Sequence, residues 1–300
     1  MRLKNTFGAK KTKTHIDIFC VFCYYIFGDV KMIITKQDYI SRDEYYESPR
    51  NKTVRKANAL IQKNRFDLSL QQQKIILFLI SQISPYDDNF KLYEFNIIDF
   101  CKVCGIDYTS GKNYEDLKAQ IKNISDKSMW IKKEDNTETL VRWIEKPTIK
   151  EKSGIIQIKL DEDLKPYLIQ LRENFTQYDI IYTLCFKSKY SIRLYELIKS
   201  IHYQELYEYS KDFTLDEIKI LLGAESYKTY QHFKDRVLIP SITEINNTSD
   251  KDISYTPIKK GKAVIGIRLE IKTKDIIERN KIRLLAENTL DKQLSFFDEV

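Results

Sequence analysis

The 300-residue chain is short of several things that whole classes of protein require. Eight glycines and six prolines exclude collagen-like and low-complexity arrays. The three histidines, His15, His202 and His232, stand apart, so there is no His-hydrophobic-His pair to hold a catalytic metal. A P-loop pattern is also missing, which argues against nucleotide hydrolysis. Five cysteines, an odd number in so long a chain, do not make a disulfide scaffold and fit a reducing cytoplasm. Two C-x-x-C pairs occur, Cys20/Cys23 and Cys101/Cys104. A zinc ribbon sets such pairs about 15–20 residues apart, and these lie far wider. No metal, cofactor or catalytic residue is therefore expected. The longest apolar run, residues 16–27, is broken by Asp17 and is shorter than the roughly 20 residues that span a bilayer.

That run belongs to a stretch, residues 1–31, that looks foreign to the rest. It opens basic (Lys10, Lys11, Lys13) and shows no small-residue cleavage site. A secretion signal, a weak membrane anchor and an upstream extension ahead of a start at Met32 compete; the last fits best. Residues 32–53 form a charged, Tyr-rich arm.

What is present is core material and unevenly placed charge. An apolar share of 42%, with 12% aromatic, supports roughly two globular domains at this length. Net charge is +7, but residues 1–31 carry six Lys/Arg against two Asp, so only +3 remains over residues 32–300. A nucleic-acid surface must then be a local patch.

Periodicity supplies the organisation. Ser69 opens a helix with Ile76, Leu79, Ile80 and Ile83 on one face. Asn96 caps a short helix (Ile97, Phe100, Val103, Cys104) closed by Gly105, and residues 114–126 make a third with Leu117, Ile121 and Ile124 inward. Segments 139–144 and 155–160 alternate like paired strands, and Asp161 starts a helix through residue 171. The second half repeats this order 118 residues later: Leu194, Leu197, Ile198 and Ile201 follow the first set, Phe213-Thr214 follows Phe95-Asn96, and Gly223 follows Gly105. After a two-residue gap Leu117 and Ile121 become Phe233 and Val237. By the same repeat Cys104 (matching Leu222) is expected in the core, while Cys101 (matching Lys219) is expected to point elsewhere.

Helix, short helix, Gly turn, longer helix and hairpin is the order of a winged helix. The expected fold is α+β, two tandem winged-helix domains at 54–172 and 173–274, with a terminal segment at 275–300. In the second, residues 227–246 make the third helix. Tyr230, Phe233 and Val237 pack, while Lys228, Gln231, His232 and Asp235 face outward with Lys234 and Arg236 on the flanks. Such a face is often merely solvated, Asp235 can simply pair with a neighbouring cation, and His232 can equally be a packed ring. The hairpin 254–258 with 263–271 turns through Lys259, Lys260, Gly261 and Lys262, cations suited to phosphates or the minor groove.

At this point the residues resemble a family. Phe233-Lys234-Asp235-Arg236-Val237-Leu238-Ile239-Pro240, with Ile242 and Glu244-Ile245-Asn246, resembles the F-x-x-R-V-L-x-P-x-I-x-E-I-N signature of iteron-binding plasmid replication initiators. Arg193-Leu194-Tyr195-Glu196-Leu197 and Leu68-Ser69-Leu70-Gln71-Gln72-Gln73 are similar to further family motifs; Ser241 is a minor departure, and residues 1–31 match nothing in it. The resemblance covers about residues 50–273. It implies two winged helices of common descent that bind direct repeats in double-stranded plasmid-origin DNA. It also implies monomers that activate, dimers through the first domain that repress or couple origins, and recruitment of host replication machinery in the cytoplasm. It places Lys228, Gln231, His232, Lys234 and Arg236 at the major groove, with Lys112, Asn113, Lys118 and Lys122 at the backbone from the first domain.

Past a helix expected at 276–287, Gln293-Leu294-Ser295-Phe296-Phe297 looks like the pentapeptide by which bacterial proteins dock on the replicative sliding clamp. An extended peptide would insert Leu294, Phe296 and Phe297 into an apolar groove while Gln293 hydrogen-bonds; a tail folded back on the second domain is the bland reading. Two rivals remain for the whole chain. One is a winged-helix transcriptional regulator; the other is a rolling-circle initiator that nicks DNA with a tyrosine, for which the metal-binding histidines are wanting.

Overall fold

The computed structural model describes residues 52–63, 67–84, 86–104, 111–132, 137–150, 153–201 and 207–298, without the side chains of residues 99, 102–104, 111–113, 132 and 291–298. Residues 1–51, with Cys20, Cys23 and His15, and also Gly105 and His202, lie outside the described residues, as does the Cys104 side chain.

The chain enters through strand β1 (Thr53–Ala57) and a short helix α1 (Asn58–Gln62). Helix α2 (Leu70–Ser81) begins where Ser69 predicts: its hydroxyl accepts from the Gln72 N–H while Gln72 accepts from the Ser69 N–H, a closed capping box. Residues 72–81 of α2 are buried on every side, so this helix is a core element rather than an amphipathic one. Strand β2 (Tyr93–Asn96) leads into α3 (Ile97–Cys104), where the Asn96 carboxamide accepts from the Ile98 N–H, and α4 (Gly111–Asp126) buries Leu117, Ile121 and Ile124.

The strands that follow differ from the sequence expectation. Residues 139–144 and 155–160 meet only at the bridge Ile144–Leu160. Instead β3 (Ser128–Lys132) pairs with β4 (Glu138–Arg142) as a separate hairpin, and β5 (Thr148–Lys150) pairs with β6 (Ile155–Ile158), which also pairs with β2. Each pairing buries one alternating apolar face, Met129, Ile131 and Val141 in the first and Ile156 and Ile158 in the second, which is what fixes register. After Asp161 comes one 3-10 turn and α5 (Lys165–Leu168); the helix ends there rather than at residue 171, and Gln170 takes a positive φ.

Then come β7 (Phe175–Asp179), α6 (Ile180–Cys185) and α7 (Lys189–Ser200). The second unit continues with β8 (Glu208–Thr214), α8 (Leu215–Leu222), α9 (Tyr230–Phe233), a π-helical turn (Lys234–Leu238), α10 (Ile239–Thr248), β9 (Lys251–Lys260) and β10 (Ala263–Thr273). Its sheet runs β8-β10-β9, equivalent to β2-β6-β5 in the first unit. A final helix, α11 (Ile276–Asp298), packs on α6 and α10.

One pairing joins the two halves. β1 and β7 form an antiparallel ribbon centred on Arg55 opposite Gln177. The flanking bonds repeat about that centre: Asn58 N–H donates to the Asn174 carbonyl (2.7 Å), and Ile180 N–H, 122 residues on, donates to the Lys52 carbonyl (3.1 Å). Beneath the ribbon lies a buried charged cluster. Lys56 Nζ sits 2.6 Å from Glu196, whose same oxygen accepts from the Tyr178 hydroxyl at 2.5 Å. Arg193, one turn away on α7, donates to the carbonyls of Ile61 and Leu221, so α1, α7 and α8 meet at one guanidinium. Burial pulls the Lys56 ammonium down, an effect that the Glu196 carboxylate opposes.

Candidate nucleic-acid interface

Helix α8 is held at both ends. Thr214 and Glu217 form a capping box, and Gly223 closes the helix in the left-handed region (φ 67°) that favours glycine. A short turn then leads to Thr229, whose hydroxyl accepts from the His232 N–H and starts α9. The reading helix therefore begins at Tyr230, not at residue 227, and Lys228 stands on the turn ahead of it. A Ser/Thr three residues ahead of a helical amide was the available signal.

Two tyrosine pairs, not foreseen from the sequence, fix that start. Tyr227 meets Tyr190 of α7 edge-on (6.1 Å between rings), and burial together with the hydrogen bond to Tyr227 pushes the Tyr190 phenol up to about 12. Tyr230 is tied to Tyr255 of β9, and burial with that contact pushes the Tyr230 phenol up to about 12 as well. The start of the helix is thus tied through Tyr227 to α7 and through Tyr230 to the wing behind it.

Past Phe233 the helix widens. Ile239 N–H bonds back to the Lys234 carbonyl, five residues away, and Pro240 follows without an N–H to give. Proline clashes with the carbonyl four residues earlier, here that of Arg236, and one π turn accommodates it. The turn separates two stretches of one rod. Before it Gln231 and His232, and on it Asp235 and Arg236, are exposed around the buried Phe233 and Val237; after it, Ser241, Ile242 and Ile245 are buried.

The wing is longer than expected: β9 runs from Lys251 to Lys260 and β10 from the expected Ala263 on to Thr273, leaving only Gly261 and Lys262 as the turn, with Gly261 at φ 62°. Lys259, Lys260 and Lys262 are exposed at its tip. Tyr255 lies four residues before Lys259, which at about 3.3 Å per residue sets the tip roughly 13 Å from the reading turn. At the base, Gly266 lies against β8 so closely that a Cβ would meet the Phe213 carbonyl oxygen at 2.4 Å. Arg268 forks onto Asp212 at 2.6 and 2.7 Å, bracing the same two strands.

The cations of this face are mostly unpaired. Lys228, Arg236, Lys259, Lys260 and Lys262 are exposed and form no side-chain ion pair among the described residues. Lys234 is half-buried and pairs with Asp235 (3.5 Å), which also accepts from Gln231 (2.6 Å), so Asp235 has the pairing role considered for it. His232 is exposed, not a packed core ring. In the first unit Lys122 pairs with Asp126 (2.5 Å), and Lys118 lies 4.0 Å from Glu115 and over the Tyr114 ring. Lys112 and Asn113 lie at the start of α4, but their side chains are outside the described residues. The arrangement offers uncompensated positive charge from one helix turn and one hairpin tip, with an amide and an imidazole between, the donors needed for phosphates and base edges.

Other expected features fall differently. Cys101, expected to point away from the core, is fully buried, and burial pushes its thiol up to about 12; Lys219, its repeat counterpart, is buried as well, its Nζ bonded to the Lys228 carbonyl and over the Phe233 ring. Among the described residues no cluster of His, Cys, Asp and Glu could hold a metal, and no helix is long and apolar enough to cross a membrane. Helix α11 does not stop near residue 287, nor is it one-faced. It buries Ile282, Ala286 and Leu290 but exposes Ile276, Ile277, Leu284 and Leu285. Its backbone stays helical through Gln293, Leu294, Phe296 and Phe297, where an extended peptide was expected; those side chains lie outside the described residues.

Comparison with known proteins agrees with this architecture. Residues 53–199 match the family described as "Initiator Replication protein, WH1", and residues 214–271 match "Initiator Rep protein, WH2". A curated replication initiation protein of Escherichia coli is 26% identical over 214 residues, 66% of this chain and 63% of that protein, so the chain spans less than two thirds of that relative. The solved structure of Pi initiator protein in complex with iteron DNA shares the fold over 75% of this chain and 99% of its own, with a TM-score of 0.61 and 19% identity. With its two repeats each matched in order, the chain belongs to the replication initiator protein family and carries both of its winged-helix domains.

Proposed function

We propose that the chain is a plasmid replication initiator that recognises direct repeats at an origin through its second winged helix. One observation carries this reading: five exposed cations gather on the reading turn and wing tip of one winged helix, with no ion-pair partner among the described residues. Holding like charges together without counter-charge costs stability unless phosphates complete the set. Gln231 and His232 then read base edges, Lys228 and Arg236 hold the phosphates beside them, and Lys259, Lys260 and Lys262 hold the backbone at the wing. The first domain adds backbone contacts through α4, in which Lys118 and Lys122 must first leave their own carboxylates. Footprinting on repeats of the cognate plasmid tests the assignment. Protection of the repeats, with a scrambled duplex unprotected, is expected; protection of an unrelated promoter alone would make the chain a transcriptional regulator instead.

The reading assigns no catalytic step, and unnicked supercoiled origin DNA after incubation is the expected result. Self-association through the first domain (residues 54–172) has a feature to support it. Trp130 and Leu140 face each other across β3 and β4 and are 60% and 50% exposed, an apolar pair on a surface hairpin. Trp130→Glu should shift sedimentation toward monomer while leaving repeat binding in place. The second domain (173–274) carries the main reader. Docking of Gln293, Leu294, Phe296 and Phe297 on the sliding clamp requires the end of α11 to unwind. Leu294→Ala/Phe297→Ala should abolish binding to purified clamp, and unchanged binding dismisses the motif.

A further inference from the structure

At the far end of the reading rod lies a cavity of about 350 Å³, between β7, α6, α7, the α10–β9 turn and the first turns of α11. That volume is within the range of about 300–1,000 Å³ found for small-molecule sites. The distance from Tyr230 to Thr248 is about 27 Å at 1.5 Å per residue, which puts the cavity well away from the reading turn.

Its charges do not balance. Lys199, Arg279 and Arg283 line it against Asp179 and Asp250. Both carboxylates are already committed: Asp179 to Arg283 (2.6 Å), and Asp250 to Lys199 (3.1 Å) and the Tyr195 hydroxyl (2.7 Å). Arg279 is left over, and its Nε is buried with no hydrogen-bond partner. Leaving a buried donor of a charged group unmade costs more than an ordinary missing bond. The same surplus is felt next door, where burial and the nearby Lys199 and Arg279 push Lys251 down to about 8 although Asp250 pulls the other way. Arg279 and Asn280 sit in the opening turns of α11, whose end is already capped by Asp275, its carboxylate accepting from the Glu278 N–H (2.8 Å), so the guanidinium rather than the helix end is what lacks a partner. The Tyr182 ring supplies one apolar wall.

We propose that this cavity binds the phosphate of a small molecule, with the Arg279 guanidinium as anchor and the side-chain amide of Asn280 beside it. The cavity adjoins the β1–β7 ribbon through Gln177 and Tyr178 of β7, and its lining comes from residues 177–283.

The test is calorimetric titration of the full chain with inorganic phosphate, pyrophosphate and ATP, with adenosine as the phosphate-free control. One saturable site is expected for the phosphates and none for adenosine; tighter ATP than pyrophosphate binding would identify a nucleotide, equal binding a free phosphate. Arg279→Ala should weaken binding at least tenfold, with Arg279→Lys recovering part of it. Asn280→Asp, at an exposed position, adds repulsion without touching the core and should do the same even if Arg279→Ala unfolds. The Lys259, Lys260 and Lys262 triple alanine variant should bind as the parent does. Absence of a saturable site, wild-type affinity in Asn280→Asp, adenosine binding as well as ATP, or loss of binding in the wing variant would each overturn the proposal. None of these outcomes bears on repeat recognition, which is scored separately.

Discussion

Salt dependence turns the unpaired cations into a number. Each phosphate neutralised contributes about 0.9 to the slope of log affinity against log salt. If Lys228, Arg236, Lys259, Lys260 and Lys262 each meet one phosphate, the second domain contributes a slope of roughly −4.5, and affinity falls about 500-fold between 50 and 200 mM salt. Replacing the three wing lysines by alanine should leave a slope near −1.8 and only about a 12-fold loss over the same range, on specific and scrambled duplexes alike. Replacing Arg236 and Lys228 instead should lower the slope by about 1.8 and also reduce discrimination between the two duplexes, because the reading turn carries the base contacts. Lys165, which has no place in the interface, serves as the internal control: it is 2.5 Å from Glu162, so Lys165→Ala removes a pair rather than a free charge and should change the slope by less than about half a unit. Fluorescence anisotropy of a labelled repeat over a salt series measures all of these. A wing variant with an unchanged slope, or one that loses only specific binding, would refute the assignment.

Three further outcomes concern stability. Glu196→Gln strands the buried Lys56 ammonium and should cost about 3–5 kcal/mol in urea unfolding, whereas Lys56→Met/Glu196→Leu should regain most of it; a double variant no better than the single would discredit the cluster as a pair. Gly266→Ala forces a methyl against the Phe213 carbonyl and should lose about 1–3 kcal/mol, seen as a lower Tm with the wing affected first. Lys251 binds its proton less well folded (about 8) than unfolded (10.5), so its penalty is full below pH 8 and fades as pH rises toward 10.5. The parent should therefore gain about 3 kcal/mol over that interval relative to Lys251→Met, and parallel pH profiles would contradict the reading.

The sequence carried the helices because their signals are local. Ser69, Asn96, Thr214 and Gly223 sit at caps that the structure closes with hydrogen bonds, and the 118-residue repeat follows buried positions such as Ile76 and Leu194. Strand partners were less legible because pairing is a long-range choice. Segment 155–158 alternates equally well beside β2, β4 or β5, and only the packed sheet decides. The interface residues were found from composition and position, but whether each is free or paired depends on neighbours in space, as Lys234 and Lys122 show. The π turn was missed because a 3.6-residue period has no place for it, although Pro240 marked the spot.

The β1–β7 ribbon has a consequence for synthesis. Strand β1 leaves the ribosome early, but its hydrogen-bonding partner and the carboxylate for Lys56 lie far downstream, Glu196 by 140 residues. At about 5–20 residues per second, Lys56 waits roughly 7–28 s for its counter-charge, while helices such as α2 form in microseconds. The amino-terminal half therefore spends its first seconds as a set of helices with one edge and one ammonium unanswered. It is completed only when α7 emerges, so the two winged helices, although each has its own hairpin and its own helix-turn-helix, finish folding together.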